Sequence, residues 1–305
     1  MSTVPGHLIH IGYSKAGSTF LQRWFEAHPH LAYSTGGIGG YRSVYAISTE
    51  VASGREDNRW RVTSCENLSA PQADAGTLVV DYERAMRSSW ADRQSAARAH
   101  LARMFPNAHI LIVTRGFRSM ILSSYSQYVR SGGREDFETL NQGQRDNHPW
   151  DYDGLIRGYR DDFGDDRVIV LPWELLRDDP ARFTAILEGR LGIAAFVPKA
   201  ETVNPSLSPV ELRWYPRLSR RLESLPVPAA VRRRLQARYF AAVDRGRLAW
   251  LVPILQRLRP APPFAADLAG GDLLEGLRGH GEILARDPLY RPYAADYLFD
   301  AARPD

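Results

Sequence analysis

The residues of this 305-residue chain whose types and spacing best suit chemistry lie in the stretch HLIHIGYSKAGSTF, from His7 to Phe20. In it, Gly12 and Gly17 flank Lys15, and two hydroxyl residues follow the second glycine. A strand that turns sharply into a helix presents unpaired backbone N–H groups and the positive end of the helix dipole. Glycine lets the chain wrap closely round an anion because it has no Cβ. The stretch therefore predicts a site for a phosphate-like group.

The position of the lysine distinguishes this loop from the P-loop that binds nucleotide triphosphates. That loop has the pattern GxxxxGK[ST], in which a lysine directly follows the second glycine and a hydroxyl binds magnesium. Here Ser18 occupies the lysine position, and the cation is Lys15, inside the loop. A P-loop nucleotide kinase or NTPase is therefore the alternative interpretation rather than the first. A nonenzymatic nucleotide or nucleic-acid binder is a third, although the sequence lacks the interleaved aromatic motifs of RNA-binding modules.

A second anion site is predicted in TRGFRSMILSSYSQYVRSGG, which overlaps the end of the strand-like run HILIVT. Arg115 lies at the end of that strand, and Ser123 lies eight residues further on, within the next helix. An arginine at the carboxyl edge of a parallel strand and a serine on the following helix can close on one phosphate from two sides. The spacing therefore suits a second phosphate.

Together these motifs resemble those of one enzyme family. GYSKAGSTFLQ resembles the 5′-phosphosulfate loop of sulfotransferases that use 3′-phosphoadenosine 5′-phosphosulfate (PAPS), and the second stretch is similar to their 3′-phosphate site. The resemblance implies that no metal is required and that Lys15 is catalytic, because a compact ammonium can follow charge on the bridging oxygen. It implies donor binding by Lys15, Ala16, Gly17, Ser18, Thr19, Phe20, Arg115 and Ser123. The acid or amide and the proline that usually follow the arginine are replaced by Gly116 and Phe117.

Weaker similarities to the same family, in the late strand and helix FGDDRVIVLPWELLRDDPARFTAILEGRLGI and in ETVNPSLSP, extend the resemblance to about residue 209. The implied activity is transfer of a sulfuryl group from PAPS to a hydroxyl of a glycan, a glycolipid or a small metabolite. We expect the loops at 35–57 and 134–150 to build the acceptor pocket, because binding residues are often carried by loops. The identity of the acceptor and the oligomeric state stay open.

The general base does not lie where the resemblance would put it. The family commonly has a glutamate or histidine shortly after the first helix, but this chain has STGGIGG there. Glu66 is the first choice, because it follows a predicted strand and ligands meet at the carboxyl edge of open α/β sheets. A strand-end acid that only caps or pairs is an equally open interpretation of Glu66. Asp81 and Glu83 come next, and His28 and His30 are further candidates.

The elements that must position these residues read as an α/β fold. Near-continuous apolar strands are predicted at 8–11, 61–65, 77–81, 110–114 and 167–172, and helical periodicities separate most of them. Such strands indicate a parallel sheet flanked by helices, a three-layer fold of the P-loop sulfotransferase type with a helical C-terminal part. We expect a single sulfotransferase domain over 1–305, with a nucleotide-binding core at 1–205 and a helical extension at 206–305. The arginine-rich stretch VRRRLQARYF is predicted to be a solvated helix face, with a membrane or an acidic partner as the alternative.

Composition sets broad bounds on function. The net charge of +4 suits an anionic small ligand as well as nucleic acid. The single cysteine, Cys65, cannot form an internal disulfide, and no Cys/His cluster has zinc spacing. No apolar run approaches the roughly 18 residues of a membrane helix, and the start MSTVPGHL lacks a signal-peptide pattern. We therefore expect a cytoplasmic protein without an integral membrane segment, whose partner is a small-molecule or glycan acceptor and not nucleic acid.

Overall fold

A parallel sheet forms the centre of the fold. The structure is a computed structural model that describes residues 6–13, 15–34, 60–65, 68–69, 88–141, 147–197, 207–258, 260 and 271–299. Within these residues the strands are β1 (Gly6–His10), β2 (Leu31–Ser34), β3 (Trp60–Ser64), β4 (His109–Thr114) and β5 (Val168–Pro172). Their order is β2-β3-β1-β4-β5, and every neighbouring pair is parallel. The predicted α/β class is confirmed.

Helices connect and follow the strands. Those between β1 and β5 are α1 (Ser18–Ala27), α2 (Trp90–Met104), α3 (Phe117–Arg130), α4 (Phe137–Asn141) and α5 (Tyr152–Phe163). After β5 come α6 (Trp173–Asp178), α7 (Pro180–Leu191), α8 (Pro209–Glu223), α9 (Ala229–Asp244), α10 (Leu251–Leu258), α11 (Gly271–Leu277) and α12 (Glu282–Ala285). Short 3₁₀ segments lie at Asp165–Arg167 and Pro288–Tyr293. Among the described residues, no helix is long and apolar enough to cross a bilayer.

The core explains why the strands read as unbroken apolar runs. Leu8 and Ile9 of β1 are fully buried, and so are residues 110–113 of β4. In a parallel sheet with helices on both faces, successive side chains point to opposite faces and both faces are dry. The apolar runs of β1 and β4 therefore follow from their position in the interior of the sheet, and β5, at the edge, is apolar because four of its five residues are buried.

Two local predictions differ from the structure. The strand β2 is not among the predicted strands, because four residues with the sequence LAYS give little local signal and their extended state depends on pairing with β3. The segment 134–150, predicted as a loop, contains the short helix α4. There the Asp136 carboxylate accepts the backbone N–H of Thr139 at 3.1 Å, and the buried Phe137 packs edge-on against Tyr125. The predicted strand at 77–81 and the predicted surface segment at 35–57 lie outside the described residues.

The chain divides into two compact units. The first consists of Met1–Phe117, Asn147–Val203 and Leu277–Asp305, and the second of Arg118–Asp146 and Asn204–Gly276. The sheet belongs to the first unit, together with the C-terminal segment that follows α11. The predicted division of one domain into 1–205 and 206–305 stays a prediction.

The second unit is built around α8. That helix begins with a capping box, in which Ser208 accepts the backbone N–H of Glu211 and the Glu211 side chain accepts the backbone N–H of Ser208. Trp214 and Tyr215 are buried on it. Tyr239 of α9 donates to the Tyr215 carbonyl at 2.9 Å, so α9 is fixed against α8.

Candidate functional site

The two predicted anion motifs follow the two strands at the switch point of the sheet. β1 pairs with β3 on one side and with β4 on the other. The chain leaves β1 toward β2 and β3, whereas it leaves β4 toward β5. In open α/β sheets the crevice between two such strands, at their carboxyl ends, is where ligands bind. The topology therefore puts the loop after His10 and the turn after Thr114 at one crevice.

The loop between β1 and α1 turns through two left-handed residues. Lys15 has φ 71° and Gly17 has φ 84°. Between them, the backbone N–H of Ala16 donates to the Tyr13 carbonyl at 3.0 Å. Tyr13 is itself buried and donates its hydroxyl to the Pro149 carbonyl at 2.8 Å, which fixes the loop on the first unit. A left-handed conformation is unfavourable for lysine and is often found where function requires an unusual backbone path.

The start of α1 can accept an anion. Gly17 is the N-cap and, having no side chain, provides no side-chain cap. No acceptor among the described residues bonds the backbone N–H groups of Ser18, Thr19 and Phe20, whereas the N–H of Leu21 already bonds the Gly17 carbonyl at 3.1 Å. These N–H groups and the helix dipole favour negative charge at this end of the helix. The hydroxyl of Thr19 is on an exposed residue, and Ser18 is buried.

Both glycines of the motif are sites of close approach. A Cβ at residue 17 would lie 2.5 Å from Cδ2 of Leu176 and 3.0 Å from Cδ1 of Trp173. A Cβ at residue 12 would lie 2.4 Å from Nε2 of His10. His10 is fully buried, burial lowers its pKa to about 3, and its Nδ1 lies 2.8 Å from the Ser64 hydroxyl oxygen. A neutral histidine therefore lies directly beneath the glycine loop.

Arg115 joins the second motif to the first. Its Nη1 donates to the Lys15 carbonyl at 2.6 Å, and its guanidinium lies 3.8 Å from the ring centre of Trp173. The Arg115 carbonyl accepts the Tyr152 hydroxyl at 2.6 Å. Burial lowers the pKa of Arg115, and the nearby Glu174 carboxylate raises it, so the guanidinium stays charged at neutral pH. The arginine fork is thus held at the loop by an aromatic face and by a backbone bond.

A buried carboxylate supports the turn after Arg115. Glu174 is fully buried; its Oε1 accepts the backbone N–H of Gly116 and its Oε2 accepts the Tyr297 hydroxyl, both at 2.9 Å. Tyr297 also lies 3.0 Å from the Thr114 hydroxyl oxygen. Burial raises the pKa of Glu174, and these hydrogen bonds oppose the rise. These hydrogen bonds therefore link the ends of β4 and β5 to the C-terminal segment, next to Arg115.

The same turn explains where the sequence departs from the family pattern. A Cβ on Gly116 would lie 2.4 Å from Cβ of Asp296 and 3.0 Å from the Asp296 carbonyl carbon. The backbone of the C-terminal segment thus leaves no room for a side chain at residue 116. Phe117 stacks on Tyr152 with ring centres 4.9 Å apart and planes 10° from parallel. Gly116 thus packs against the C-terminal segment, and the Phe117 ring also meets that segment, edge-on to Tyr297 with ring centres 6.2 Å apart.

The structure brings together some of the predicted residues. Lys15 through Phe20 form the loop and the first turn of α1, and Arg115 contacts that loop. Ser123 is buried on α3 in the second unit, and its closure with Arg115 on one phosphate stays a prediction. The candidate bases Glu66, Asp81 and Glu83 lie outside the described residues.

His28 and His30, the other candidate bases, lie at the opposite end of α1. His28 is the C-cap of this ten-residue helix, about 15 Å from its start. It is buried, and its Nδ1 accepts the backbone N–H of His30 at 3.1 Å. Its ring also packs edge-on against Trp24, with centres 4.9 Å apart. These contacts indicate a structural role for His28.

Sequence reasoning missed three residues of the site. Trp173 and Glu174 directly follow β5, and Tyr152 begins α5. The position of Trp173 and Glu174 after an apolar strand is a signal that could have found them, because parallel strands end at one edge of a sheet. No sequence pattern indicates that Tyr152 reaches the Arg115 carbonyl. Among the described residues no group of three or more His, Cys, Asp or Glu could hold a metal ion, and the expectation that none is required stays a prediction.

The fold and the loop define an α/β protein with a strand–loop–helix turn, whose N–H groups can accept an anion, at the switch point of a parallel sheet. Residues 8–197 match the model of the Sulfotransferase family, and the chain therefore belongs to that family. The predicted family is confirmed.

Solved structures of low identity also align with the chain. A sulfotransferase from Alicyclobacillus acidocaldarius aligns at 17% identity with a TM-score of 0.43, over 82% of this chain and 96% of that chain. Mouse sulfotransferase SULT7A1 complexed with PAP aligns at 13% identity with a TM-score of 0.37, over 70% of this chain and 63% of that chain. No match to a curated protein was found.

Proposed function

We propose that the chain transfers a sulfuryl group from PAPS to a hydroxyl of a glycan, a glycolipid or a small metabolite. The observation that carries this proposal is the 2.6 Å hydrogen bond from Arg115 to the Lys15 carbonyl. It joins two cationic motifs at one crevice, and PAPS has an anionic group at each end of its adenosine. A cytoplasmic location and the absence of a nucleic-acid partner stay predictions.

The described residues suit a donor with two anionic groups. The N–H groups at the start of α1 and the hydroxyls of Ser18 and Thr19 would hold the 5′-phosphate. Lys15 would place its ammonium on the oxygen that bridges sulfur and phosphorus, where negative charge grows during transfer. The Arg115 fork, with Ser123, would hold the 3′-phosphate. Catalysis then comes from positioning and from charge stabilisation, as in phosphoryl transfer.

The reaction needs a base for the acceptor. The bond between sulfur and the 5′-phosphate oxygen breaks, a bond between sulfur and the acceptor oxygen forms, and the hydroxyl proton passes to the base. We propose Glu66 for this role, with Asp81 and Glu83 as alternatives. β3 ends beside β1, and the backbone N–H of Cys65 donates to the His10 carbonyl at 2.9 Å. β3 therefore ends at the same edge of the sheet as the anion loop, one residue before the chain reaches Cys65.

Calorimetry tests the donor. We expect tight binding of adenosine 3′,5′-bisphosphate without magnesium and weak binding of ATP. Arg115→Ala should lower the affinity for the bisphosphate by about 10- to 100-fold, which corresponds to the loss of one or two charge-assisted hydrogen bonds. Arg182→Gln, an exposed arginine of α7, is the matched control. Magnesium-dependent ATP binding that is stronger than bisphosphate binding would instead indicate a P-loop kinase or NTPase.

Turnover with labelled PAPS and a panel of hydroxyl acceptors tests the chemistry. Lys15→Met should lower kcat by about 100-fold or more, because it removes a charge that acts in the transition state. Glu66→Gln should abolish turnover and leave bisphosphate affinity nearly intact. If Glu66→Gln turns over normally, the base is another residue, and Asp81→Asn and Glu83→Gln are the next variants to assay.

A further inference from the structure

The arginine-rich part of the second unit differs in charge from the rest of the chain. Residues 225–260 contain eight arginines and one acid, Asp244, a net charge of +7, whereas the whole chain carries +4. The remainder of the protein is therefore net acidic. Six of these arginines are exposed, and no carboxylate among the described residues forms an ion pair with any of them: Arg233, Arg234, Arg238, Arg245, Arg247 and Arg257.

The same stretch exposes most of the large hydrophobic side chains on the described surface. Six such side chains are exposed among the described residues, and five of them lie between 231 and 258. Trp250 is 66% exposed and Leu258 is 73% exposed. The others in this stretch are Val231, Leu235 and Ile254. Scattered exposed hydrophobic residues are normal, but this concentration is not.

The orientation of α10 shows that this exposure is built into the fold. Its inner face is held on α8, where Trp214 Nε1 donates to the Gln256 side-chain oxygen at 2.9 Å, and Val252 is buried. Ile254 and Leu258 each lie two residues beyond an inner-face residue, a rotation of about 200°. Ile254 and Leu258 therefore project away from α8, whereas the apolar face of a surface helix usually turns toward the core.

We propose that residues 231–258 form a surface that docks on an anionic phospholipid bilayer. A bilayer interface accepts tryptophan and aliphatic side chains into its apolar boundary while arginines bind the headgroup phosphates. Exposed apolar side chains alone or exposed arginines alone would not indicate a bilayer, and residues 231–258 carry both. A second copy of the chain is a poor occupant, because it would bring one +7 segment against another. An acidic protein would satisfy the arginines and would leave the exposed apolar residues without a specific role.

Co-sedimentation of the full chain with vesicles tests the proposal. We expect binding to vesicles of phosphatidylcholine and phosphatidylglycerol in equal parts, and little binding to phosphatidylcholine alone. Arg233→Gln/Arg234→Gln/Arg238→Gln should weaken binding by about a hundredfold, because each arginine near an anionic surface contributes roughly fivefold. Trp250→Ser/Leu258→Ser should weaken it by more than about tenfold, through lost apolar burial.

The controls use residues of the same types elsewhere on the surface. Val197→Ser removes the sixth exposed hydrophobic side chain, which is 87% exposed, and Arg182→Gln removes an exposed arginine of α7. Both should bind vesicles as the unaltered chain does. Circular dichroism and urea unfolding of each variant check that it is folded, and all of the altered side chains are exposed.

Several outcomes would overturn the proposal. These are no binding to anionic vesicles, equal binding to both kinds of vesicle, or equal weakening by the controls. Binding that the arginine variant weakens and the Trp250/Leu258 variant does not would indicate a purely electrostatic surface, as for an acidic protein. Self-association in sedimentation velocity that Trp250→Ser/Leu258→Ser removes would identify the surface as an interface between copies.

Discussion

Replacing Gly17 by alanine tests whether the loop packs as closely as the structure shows. Gly17 has φ 84° and ψ 11°, a left-handed conformation that costs a residue with a Cβ about 1–2 kcal/mol. The new Cβ would also lie 2.5 Å from Cδ2 of the buried Leu176 and 3.0 Å from Cδ1 of Trp173. Such overpacking costs roughly 1–3 kcal/mol. We therefore expect Gly17→Ala to lower the free energy of unfolding by about 2–5 kcal/mol.

Gly192→Ala separates the two contributions. Gly192 is also left-handed, with φ 63° and ψ 36°, but a Cβ there would meet nothing within 4 Å. It should cost only the conformational part, about 1–2 kcal/mol. The difference between the two variants in urea unfolding isolates the packing of Trp173 and Leu176 on the loop. In calorimetry, Gly17→Ala should also lower the affinity for adenosine 3′,5′-bisphosphate, and Gly192→Ala should not.

Two results would contradict this reasoning. Equal losses of unfolding free energy in both variants would mean that the loop does not lie against Trp173 and Leu176. A Gly17→Ala variant that is destabilised as expected but binds the bisphosphate with unchanged affinity would mean that the loop is not part of a nucleotide site.

Three further predictions concern Lys15, Glu174 and His10. Lys15→Gly should raise the free energy of unfolding by up to about 1 kcal/mol, because glycine relieves the left-handed strain, while turnover falls; a loss of stability would argue against strain. Burial raises the pKa of Glu174, so its contribution to stability is present below the ordinary glutamate pKa and is lost as pH rises above it. The unfolding free energy of Glu174→Gln minus that of the unaltered chain should therefore grow as pH rises, and a difference that does not change with pH would refute this. Burial lowers the pKa of His10 to about 3, so its contribution to stability is present above the ordinary histidine pKa of about 6.5 and is lost as pH falls. In urea unfolding, His10→Asn should reduce the fall of the unfolding free energy with pH by up to about 1.4 kcal/mol per pH unit, whereas the half-exposed control His100→Gln should not. An unchanged pH dependence in His10→Asn would contradict this.

The sheet could be predicted where the sequence carries a strong local signal. β4 is an interior strand and β5 is an edge strand, and in their runs HILIVT and VIVLP every residue except His109 and Val170 is buried. Burial on both faces could therefore be predicted from these unbroken apolar runs. The C-terminal end of α1 also has a local signal, since its apolar face ends just before Pro29. The strand β2 was not, because an edge strand of four residues depends on its partner rather than on its own sequence.

Some residues of the candidate site also have a local sequence signal, and others depend on long-range contacts. The glycine, lysine and hydroxyl pattern of the loop is local, and so is an arginine at a strand end. Glu174 supports Gly116 across 58 positions, and Tyr297 reaches Glu174 across 123. Such long-range contacts leave no periodic trace in a single sequence. Gly116 shows this most clearly, because its small size appears as a departure from a motif until the backbone of Asp296 is found against it.

The bond from Arg115 to the Lys15 carbonyl predicts energetic coupling between the two motifs. The Arg115 guanidinium stacks on Trp173, and a Cβ at residue 17 would lie 3.0 Å from Cδ1 of the same ring, so an alanine there would displace the loop that Arg115 holds. The double variant Arg115→Ala/Gly17→Ala should therefore lose less unfolding free energy than the two single variants lose in sum, by roughly 0.5–3 kcal/mol. Arg115→Ala combined with Gly192→Ala should add within about 0.5 kcal/mol, because a Cβ at residue 192 would meet nothing within 4 Å. Additivity in both double variants would show that the loop and the guanidinium are held independently, and the single donor site would lose its main support.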